Sequence, residues 1–272
     1  MRRQVLQLYP GVEPSHVHVT GTPQFDLHRR PEYCWPRNRL LAQLGLRPDD
    51  RYVLYAANCA LFTPTEPALV QAFCQRLATS PLTRDHRVVL RPHPADDLSR
   101  WGALAALNSQ LVLSAPKPED GRFATVEAQT RLVSTVAHAD ACLNMASTMS
   151  LDAAVLDTPV VCVGFAIDAG SREDRLAAAC HTTTHYAPVV ASGGVRLAHS
   201  LDALMAETVA YVRDPTRDRA ARRRLVDDLC GPVDGGAARR IAHLIRSLLP
   251  EPSSHPGTAV EVTARAAAGA TW

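Results

Sequence analysis

Two hydroxyl residues and one acidic residue lie close together where a predicted helix begins. Ser147 and Thr148 follow the apolar run 141–145, and Asp152 lies about one helical turn further along. The unpaired N–H groups of a helix N-terminus carry roughly half a positive charge, so such a terminus favours a phosphate group. We therefore predict that Ser147 and Thr148 bind a phosphate or diphosphate. Asp152 is predicted to accept hydrogen bonds from a ribose, and the pairing indicates a nucleotide-linked ligand.

A second group of candidate residues lies in the segment Arg91-Pro92-His93-Pro94. The prolines stiffen the turn, so they hold both basic side chains in place. A guanidinium can bind phosphate with two parallel hydrogen bonds, and an imidazole can donate to a phosphate oxygen or carry a proton. Arg91 and His93 are therefore predicted phosphate ligands, with His93 also a candidate catalytic group. The alternative is that Arg91 pairs with Asp96 or Asp97 and that His93 caps a turn.

Two further residues are candidate contacts of the same ligand. Asn58 follows the apolar run 51–57 and is either a loop cap or a ligand contact, and His185 could contact a sugar or a base. His181 and His185 have the i, i+4 spacing of zinc ligands, but there is no Glu beside His181 and no evident third ligand. The sequence therefore predicts neither a metal site nor a cofactor. The ligand itself would be the substrate.

Each candidate also has a purely structural interpretation. Ser147 and Thr148 can be ordinary helix N-caps, and Asp152 can be a solvated helix residue. The functional interpretation is favoured because the loops that carry these residues follow predicted parallel strands. The carboxyl ends of such strands meet at one edge of a sheet, where ligands bind.

The elements that position these residues alternate along the chain. Six apolar runs rich in strand-forming residues predict a sheet, at 51–57, 86–91, 110–114, 141–145, 159–165 and 195–198. Helical periodicity is found at 35–44, 66–78, 125–138, 147–156, 201–212 and 217–249, and a further short strand is predicted at Val17–Thr20. Strands that alternate with helices predict a Rossmann-like three-layer α/β domain with a parallel sheet of about six strands.

Composition excludes several classes of protein. The net charge of +2 argues against a nucleic-acid partner, and an aromatic content of 5% argues against stacking on single strands. The seven cysteines include no C-x-x-C pair, which indicates reduced thiols and not a disulfide framework. No apolar run approaches the ~18 residues that a spanning helix needs. The predicted location is the cytoplasm, with a peripheral position at the inner face of the membrane left open.

Five stretches of the chain resemble a known family. They are Val17–Asp26, Arg91–Pro94, Asp140–Ala154, His185–Val190 with Gly193–Arg196, and Asp234–Arg239. Their order and spacing are similar to those of the C-terminal, nucleotide-binding half of two-domain GT-B glycosyltransferases. The branch that they resemble is that of CDP-glycerol glycerophosphotransferases and bacterial surface-polysaccharide glycosyltransferases. The resemblance covers residues 17–249.

The resemblance implies roles for the candidate residues. Those matching Ser147 and Thr148 face the donor diphosphate, the acid matching Asp152 faces the ribose, and the residue matching His93 lies near the donor phosphates. Many relatives have Glu where this chain has Asp152. The implied reaction transfers a sugar from a nucleotide-diphosphate donor to an acceptor hydroxyl in surface glycan synthesis.

The resemblance also implies a division of the chain. Residues 1–30 would be the remnant of an interdomain crossover and 31–250 the donor-binding domain. The stretch 251–272 is rich in Pro, Ser, Ala and Gly, and this composition predicts a disordered tail. The N-terminal domain that binds the acceptor glycan or glycolipid and supplies the general base would be missing or carried by a partner chain. The alternatives are a CDP-glycerol phosphotransferase, a UDP-N-acetylglucosamine epimerase, and a non-catalytic nucleotide-binding subunit of a split enzyme. The isolated chain is predicted to have weak or no activity.

Overall fold

Six β-strands form one parallel sheet in the computed structural model of the chain, which describes residues 2–115 and 125–249. The strands are β1 (Arg51–Ala56), β2 (His86–Arg91), β3 (Leu111–Leu113), β4 (Cys142–Asn144), β5 (Val160–Val163) and β6 (Arg196–Ala198). Their order across the sheet is β3-β2-β1-β4-β5-β6, and neighbouring strands run parallel. The predicted Rossmann-like fold is therefore confirmed.

Helices precede β1 and connect the strands. Those before β1 are α1 (Arg2–Leu8), α2 (Pro23–His28) and α3 (Arg37–Gln43). The next four each follow one strand, in the order α4 (Glu66–Thr79), α5 (Ser99–Leu107), α6 (Val126–Ala137) and α7 (Met149–Val155). The last five are α8 (Arg172–Ala179), α9 (Ala187–Ala191), α10 (Leu201–Arg213), α11 (Arg219–Leu229) and α12 (Ala237–Leu248). Within the described residues, every helix is too short or too polar to span a bilayer.

The sheet is covered on both faces, which makes three layers. Successive side chains of a strand point to opposite faces. Val53 and Tyr55 accordingly belong to a cluster with residues of α4, α5, α8 and α10, whereas Tyr52 and Leu54 pack with residues of α3, α6, α7, α9 and α11. All four side chains are fully buried. The near-continuous apolar character of the strand follows from this two-sided burial.

The segment Val17–Thr20 is extended but belongs to none of the strands in the described residues, so the strand predicted there is wrong. Its end is held by α12, since Nε of Arg240 in this helix donates to the carbonyl oxygen of Thr20 at 2.8 Å. Gly21 follows with φ +80°, and a Cβ at this position would lie 2.6 Å from the carbonyl oxygen of Pro232. The segment therefore lies outside the sheet, and its Val19 is largely exposed.

The predicted helix 217–249 is wrong in extent, because the structure has two helices there. α11 ends at Leu229, and α12 begins at Ala237. Between them Gly231 and Gly235 have φ of +72° and +78°, a backbone region that glycine adopts without the strain of a side chain.

One carboxylate joins the N-terminal segment to the last helix. Asp26, in α2, is 5% exposed, and its two oxygens accept hydrogen bonds from the N–H groups of Ala237 and Ala238 at 2.9 and 2.8 Å. These N–H groups have no partner within their own helix, since they lie in its first turn. Asp26 thus caps α12 from a distant part of the chain.

Candidate functional site

The strand order defines where a ligand would bind. Successive strands move outward from β1 through β2 to β3, and in the opposite direction from β4 through β5 to β6. The loops after β1 and β4 therefore diverge, and they leave a crevice at the carboxyl edge of the sheet. Ala56 is in register with Arg91 of β2 and with Asn144 of β4. These last two residues lie about 10 Å apart, since they are two strands apart.

This edge brings most of the predicted site residues into neighbouring loops. Asn58 lies two residues after β1, Arg91 ends β2 and His93 follows it, and Ser147 and Thr148 lie between β4 and α7. His185 lies further away along the chain, in an exposed turn before α9.

A short turn carries the two predicted phosphate-binding hydroxyls. The N–H of Ser147 donates to Oδ1 of Asn144 at 3.0 Å, and Oγ of Ser147 accepts from the N–H of Met149 at 3.2 Å. Ala146 has a positive φ of 43°, so the chain turns sharply between strand and helix. Thr148 is exposed, and its side chain makes no capping hydrogen bond to α7. Ser147 therefore has the structural role of a cap, while Thr148 faces solvent.

A buried network of neutral groups supports this turn. Oγ of Ser150 donates to Oδ1 of Asn144 at 3.1 Å, and the hydroxyl of Tyr186 lies 2.7 Å from Ser150 Oγ and 3.3 Å from Cys162 Sγ. Burial raises the pKa of Cys162 to about 11 and raises the pKa of Tyr186 well above its ordinary value. The network consequently stays uncharged at physiological pH.

A buried carboxylate lies under the loop that follows β1. Glu66 is 1% exposed and accepts hydrogen bonds from the N–H of Asn58 at 3.0 Å and from the Thr63 hydroxyl at 2.9 Å. The hydroxyl of Tyr55 donates to its other oxygen at 3.2 Å. Burial raises the pKa of Glu66 to about 7, although the Thr63 hydrogen bond and the charge of Arg100 act in the opposite direction. This group therefore titrates near neutral pH.

The polar side chains of the first two loops have local partners. Oδ1 of Asn58 accepts from the N–H of Cys59 at 2.9 Å, which is the contact of a loop cap. Nδ1 of the exposed His93 accepts from the N–H of Ala95 at 3.1 Å, as a turn cap would. Arg91 is half-buried at the end of β2. The ligand-binding roles of these three residues stay predictions.

Asp152 lies among protein groups and not at an open surface. Its carboxylate is 2% exposed, and Oδ1 accepts from Nε2 of Gln24 at 2.7 Å. Nε2 of His28 lies 2.9 Å from the same oxygen. Both partners belong to α2, so a ribose could reach this oxygen only by displacing them. The ribose contact stays a prediction, and the structure adds a stabilising role that the sequence did not indicate.

The described residues contain no ready metal site. Within 2–115 and 125–249, no three His, Cys, Asp or Glu side chains are grouped closely enough to hold a metal ion. His181 is 3% exposed, and its Nδ1 contacts the carbonyl oxygen of Ala177 at 2.8 Å. Burial lowers the pKa of His181. This geometry is that of a neutral histidine packed in a core.

The fold is that of a GT-B-type C-terminal half, as the resemblance implied. No family model matches the chain, and no curated protein matches it in sequence. Solved structures do match it. The wall teichoic acid polymerase TagF is 14% identical, with a TM-score of 0.53 over 90% of this chain and 55% of TagF.

Two UDP-GlcNAc 2-epimerases have the same fold. The enzyme of Methanocaldococcus jannaschii is 14% identical, with a TM-score of 0.56 over 90% of this chain and 59% of that enzyme. The enzyme of Neisseria meningitidis, solved with UDP-GlcNAc bound, is 12% identical, with a TM-score of 0.56 over 90% of this chain and 58% of that enzyme. This chain thus spans little more than half the length of the proteins that it matches.

Proposed function

We propose that the crevice between the loops after β1 and β4 binds a nucleotide-diphosphate-linked donor. The chain would be the donor-binding half of a glycosyltransferase that transfers a sugar to an acceptor hydroxyl. The observation that carries this proposal is the register of Ala56 with Arg91 and Asn144, because it gathers the candidate phosphate ligands at the edge where such folds bind ligands. The UDP-GlcNAc bound to the Neisseria epimerase supports the same ligand class.

Each candidate residue has a role in this proposal. Arg91 and His93 would stabilise the charge that builds on the leaving diphosphate, with help from the Thr148 hydroxyl and the N–H groups at the start of α7. Ser147 would shape the turn, Asp152 would reach the ribose after rearrangement of α2, and Asn58 and His185 would be peripheral contacts. This assignment requires neither a metal nor a cofactor. The general base would lie outside the chain.

A companion domain or chain would complete the enzyme. The matched structures extend well beyond the region that corresponds to this chain. The missing part would bind the acceptor glycan or glycolipid, and the assembly would work in the cytoplasm or at the inner face of the membrane, in surface polysaccharide synthesis. Val19, in the segment predicted to be the remnant of an interdomain crossover, is 55% exposed, and Leu8 and Tyr9 in the same segment are 72% and 62% exposed.

A phosphotransferase that uses CDP-glycerol is the second candidate. The observation that favours it is the match to TagF, which has also been solved after a soak with CDPG. Thermal unfolding separates the two functions. We expect UDP-sugars and UDP to raise the melting temperature, whereas protection by CDP-glycerol without protection by UDP would replace sugar transfer with glycerol phosphate transfer.

Arg91→Ala tests the phosphate site. Because the contact would be charge-assisted, the variant should raise the Kd for UDP about tenfold and leave that for uridine unchanged. Arg84→Ala is the matched control, since Arg84 is an exposed arginine before β2 at the opposite edge of the sheet. Isothermal titration calorimetry with UDP and with uridine measures the Kd values of both variants. Equal losses for UDP and uridine would remove Arg91 from the phosphate site.

A further inference from the structure

The loop between β1 and α4 (residues 57–65, the β1 loop) is held by acidic side chains from three other parts of the fold. Glu66 accepts from the N–H of Asn58, as described above. Asp96 accepts from the N–H of Ala60 at 3.0 Å. Glu173, from the first turn of α8, accepts from both the N–H and the hydroxyl of Thr65 at 3.0 and 2.9 Å. The loop that forms one side of the crevice therefore rests on three carboxylates.

The guanidinium of Arg100, from α5, contacts both the loop and two of these carboxylates. Nη1 of Arg100 donates to Oδ2 of Asp96 at 2.8 Å and to the carbonyl oxygen of Asn58 at 3.4 Å. Nη2 donates to the carbonyl oxygen of Thr63 and lies 4.0 Å from Oε2 of Glu66. The guanidinium also lies 4.8 Å from the ring centre of Trp101. Arg100 thus contacts the β1 loop near both ends and contacts two of the carboxylates beneath it.

We propose that Arg100 is a positioning residue for donor binding, because its guanidinium fixes the path of the β1 loop and offsets one of the two negative charges that Asp96 and ionised Glu66 place behind the crevice. This inference rests on the proposed function. It adds Arg100, Glu66 and Asp96, which act on the donor through the β1 loop and not by direct contact. Without Arg100, the donor's diphosphate would approach a side of the crevice that carries the full negative charge of these carboxylates.

The geometry favours arginine over lysine at this position. A planar guanidinium can donate in several fixed directions at once, and Arg100 uses this to reach two carbonyl oxygens and one carboxylate. An ammonium group keeps the charge but cannot span the same set of acceptors. Arg100→Lys therefore removes part of the hydrogen-bonding pattern and keeps the positive charge, whereas Arg100→Gln removes both.

The protonation of Glu66 provides a second and independent readout. Tyr55 on β1 and Arg100 on α5 face this carboxyl group, which titrates near pH 7. Asp96 stays ionised, because hydrogen bonds from Trp101, Ala60 and Arg100 outweigh burial and keep its pKa low. An anionic donor should bind better when Glu66 is neutral, so the affinity of the wild-type protein should decrease as the pH rises from 6 to 8. Glu66→Gln should remove that part of the decrease.

The glutamine is a close replacement, since its amide can keep the contacts of the neutral acid. Its oxygen can accept from the N–H of Asn58, and its NH₂ group can donate to the hydroxyl of Thr63. That hydroxyl is already 3.2 Å from the carbonyl oxygen of Cys59, to which it can donate. The informative quantity is the difference between the variant and the wild-type protein.

The experiment measures two quantities on the full chain. Hydrogen exchange without ligand reports the order of residues 58–65, and calorimetry with UDP-glucose and CDP-glycerol at pH 6, 7 and 8 reports donor affinity. We expect Arg100→Lys to speed exchange in the loop and to raise the Kd about tenfold, with a larger rise in Arg100→Gln. Glu66→Gln should lower the Kd about threefold at pH 8 and leave it unchanged at pH 6. Arg76→Gln, which removes an exposed ion pair of α4 with Asp202, should change neither quantity.

The outcomes are separable. If the wild-type protein binds a donor and Arg100→Lys binds it equally well, the inference is wrong while the proposed function stands. If the wild-type protein binds neither donor, the proposed function is lost, and the inference is lost with it. If the Arg100 variants do not fold, the pH profile of Glu66→Gln decides, because a profile parallel to that of the wild-type protein contradicts the inference.

Discussion

The turn after β4 and the loop after β1 flank the same crevice, yet different chemistry holds them. Asn144, Ser150 and Tyr186 hold the turn with neutral hydrogen bonds, whereas Glu66 and Arg100 hold the loop with charged groups. Neutral buried networks respond little to pH or salt. Buried charges respond to both, since their energy depends on protonation and on the surrounding dielectric. The stability of the turn after β4 should therefore change little with pH and salt, whereas that of the loop after β1 should depend on both.

The largest expected change in the free energy of unfolding concerns the turn after β4, which neutral groups hold. Asn144 is fully buried, and its Oδ1 serves both Ser147 and Ser150. Asn144→Ala should lower the free energy of unfolding by about 3 kcal/mol, because it leaves an N–H and a hydroxyl without their acceptor. Urea denaturation at pH 6 and pH 8 should give the same loss. Asn38→Ala, at an exposed position, is the control, and a loss that differs strongly between the two pH values would contradict the neutral description.

The next effect tests the charged side through the stability of the protein alone. The pKa of Glu66 is raised from 4.5 to about 7 in the folded chain, so between these values the folded state holds a proton that the unfolded state has released. The free energy of unfolding should therefore fall as the pH rises from 5 to 7 and level off above 7. The contribution of this group is on the order of 2 kcal/mol.

Comparison of the wild-type protein with Glu66→Gln isolates this contribution. The variant lacks the titrating group. The difference between the two free energies of unfolding should therefore change by about 2 kcal/mol between pH 5 and pH 8. Urea titrations at several pH values provide the measurement. A difference that stays constant with pH would show that Glu66 does not titrate in this range.

The smallest effect again concerns the neutral side. Tyr186→Phe removes the hydroxyl that contacts Ser150 and Cys162 and keeps the ring. We expect a loss of about 1 kcal/mol in the free energy of unfolding, equal at pH 6 and pH 8. Tyr33→Phe, at a half-buried tyrosine outside this network, is the control. An effect as small as that of the control would remove Tyr186 from the support of the turn.

The sheet and the edge at which the candidate residues lie were predictable from the sequence, whereas the side chains that support this edge were not. Apolar runs such as 51–57 and 86–91 have the composition of strands buried on both faces, and that composition also fixes where they end. Helices such as α5 and α8 carry mostly small or charged residues and were missed. Each buries only one apolar side chain in the core, Trp101 in α5 and Ala177 in α8.

The roles of single polar residues depend on contacts across the chain. Asp152 looked like a ligand group because it follows two hydroxyl residues, but its partners Gln24 and His28 lie more than a hundred positions away in sequence. Glu66 and Arg100 gave no signal, since each is an ordinary charged residue of a helix until the fold brings them together. Local spacing predicts which edge of the sheet carries the candidate residues. It does not predict which carboxylates face inward. The predicted tail at 251–272 lies outside the described residues.

The clamp that Asp26 forms on the start of α12 has a practical consequence for dividing this polypeptide. A shortened protein that starts at residue 31 would discard the acceptor for two amides of the final helix, and it would also discard both partners of Asp152. Residues 20–28 are thus needed for the integrity of the globular unit that follows them. Any recombinant domain swap should carry this stretch along with α12, because neither keeps its hydrogen bonds without the other.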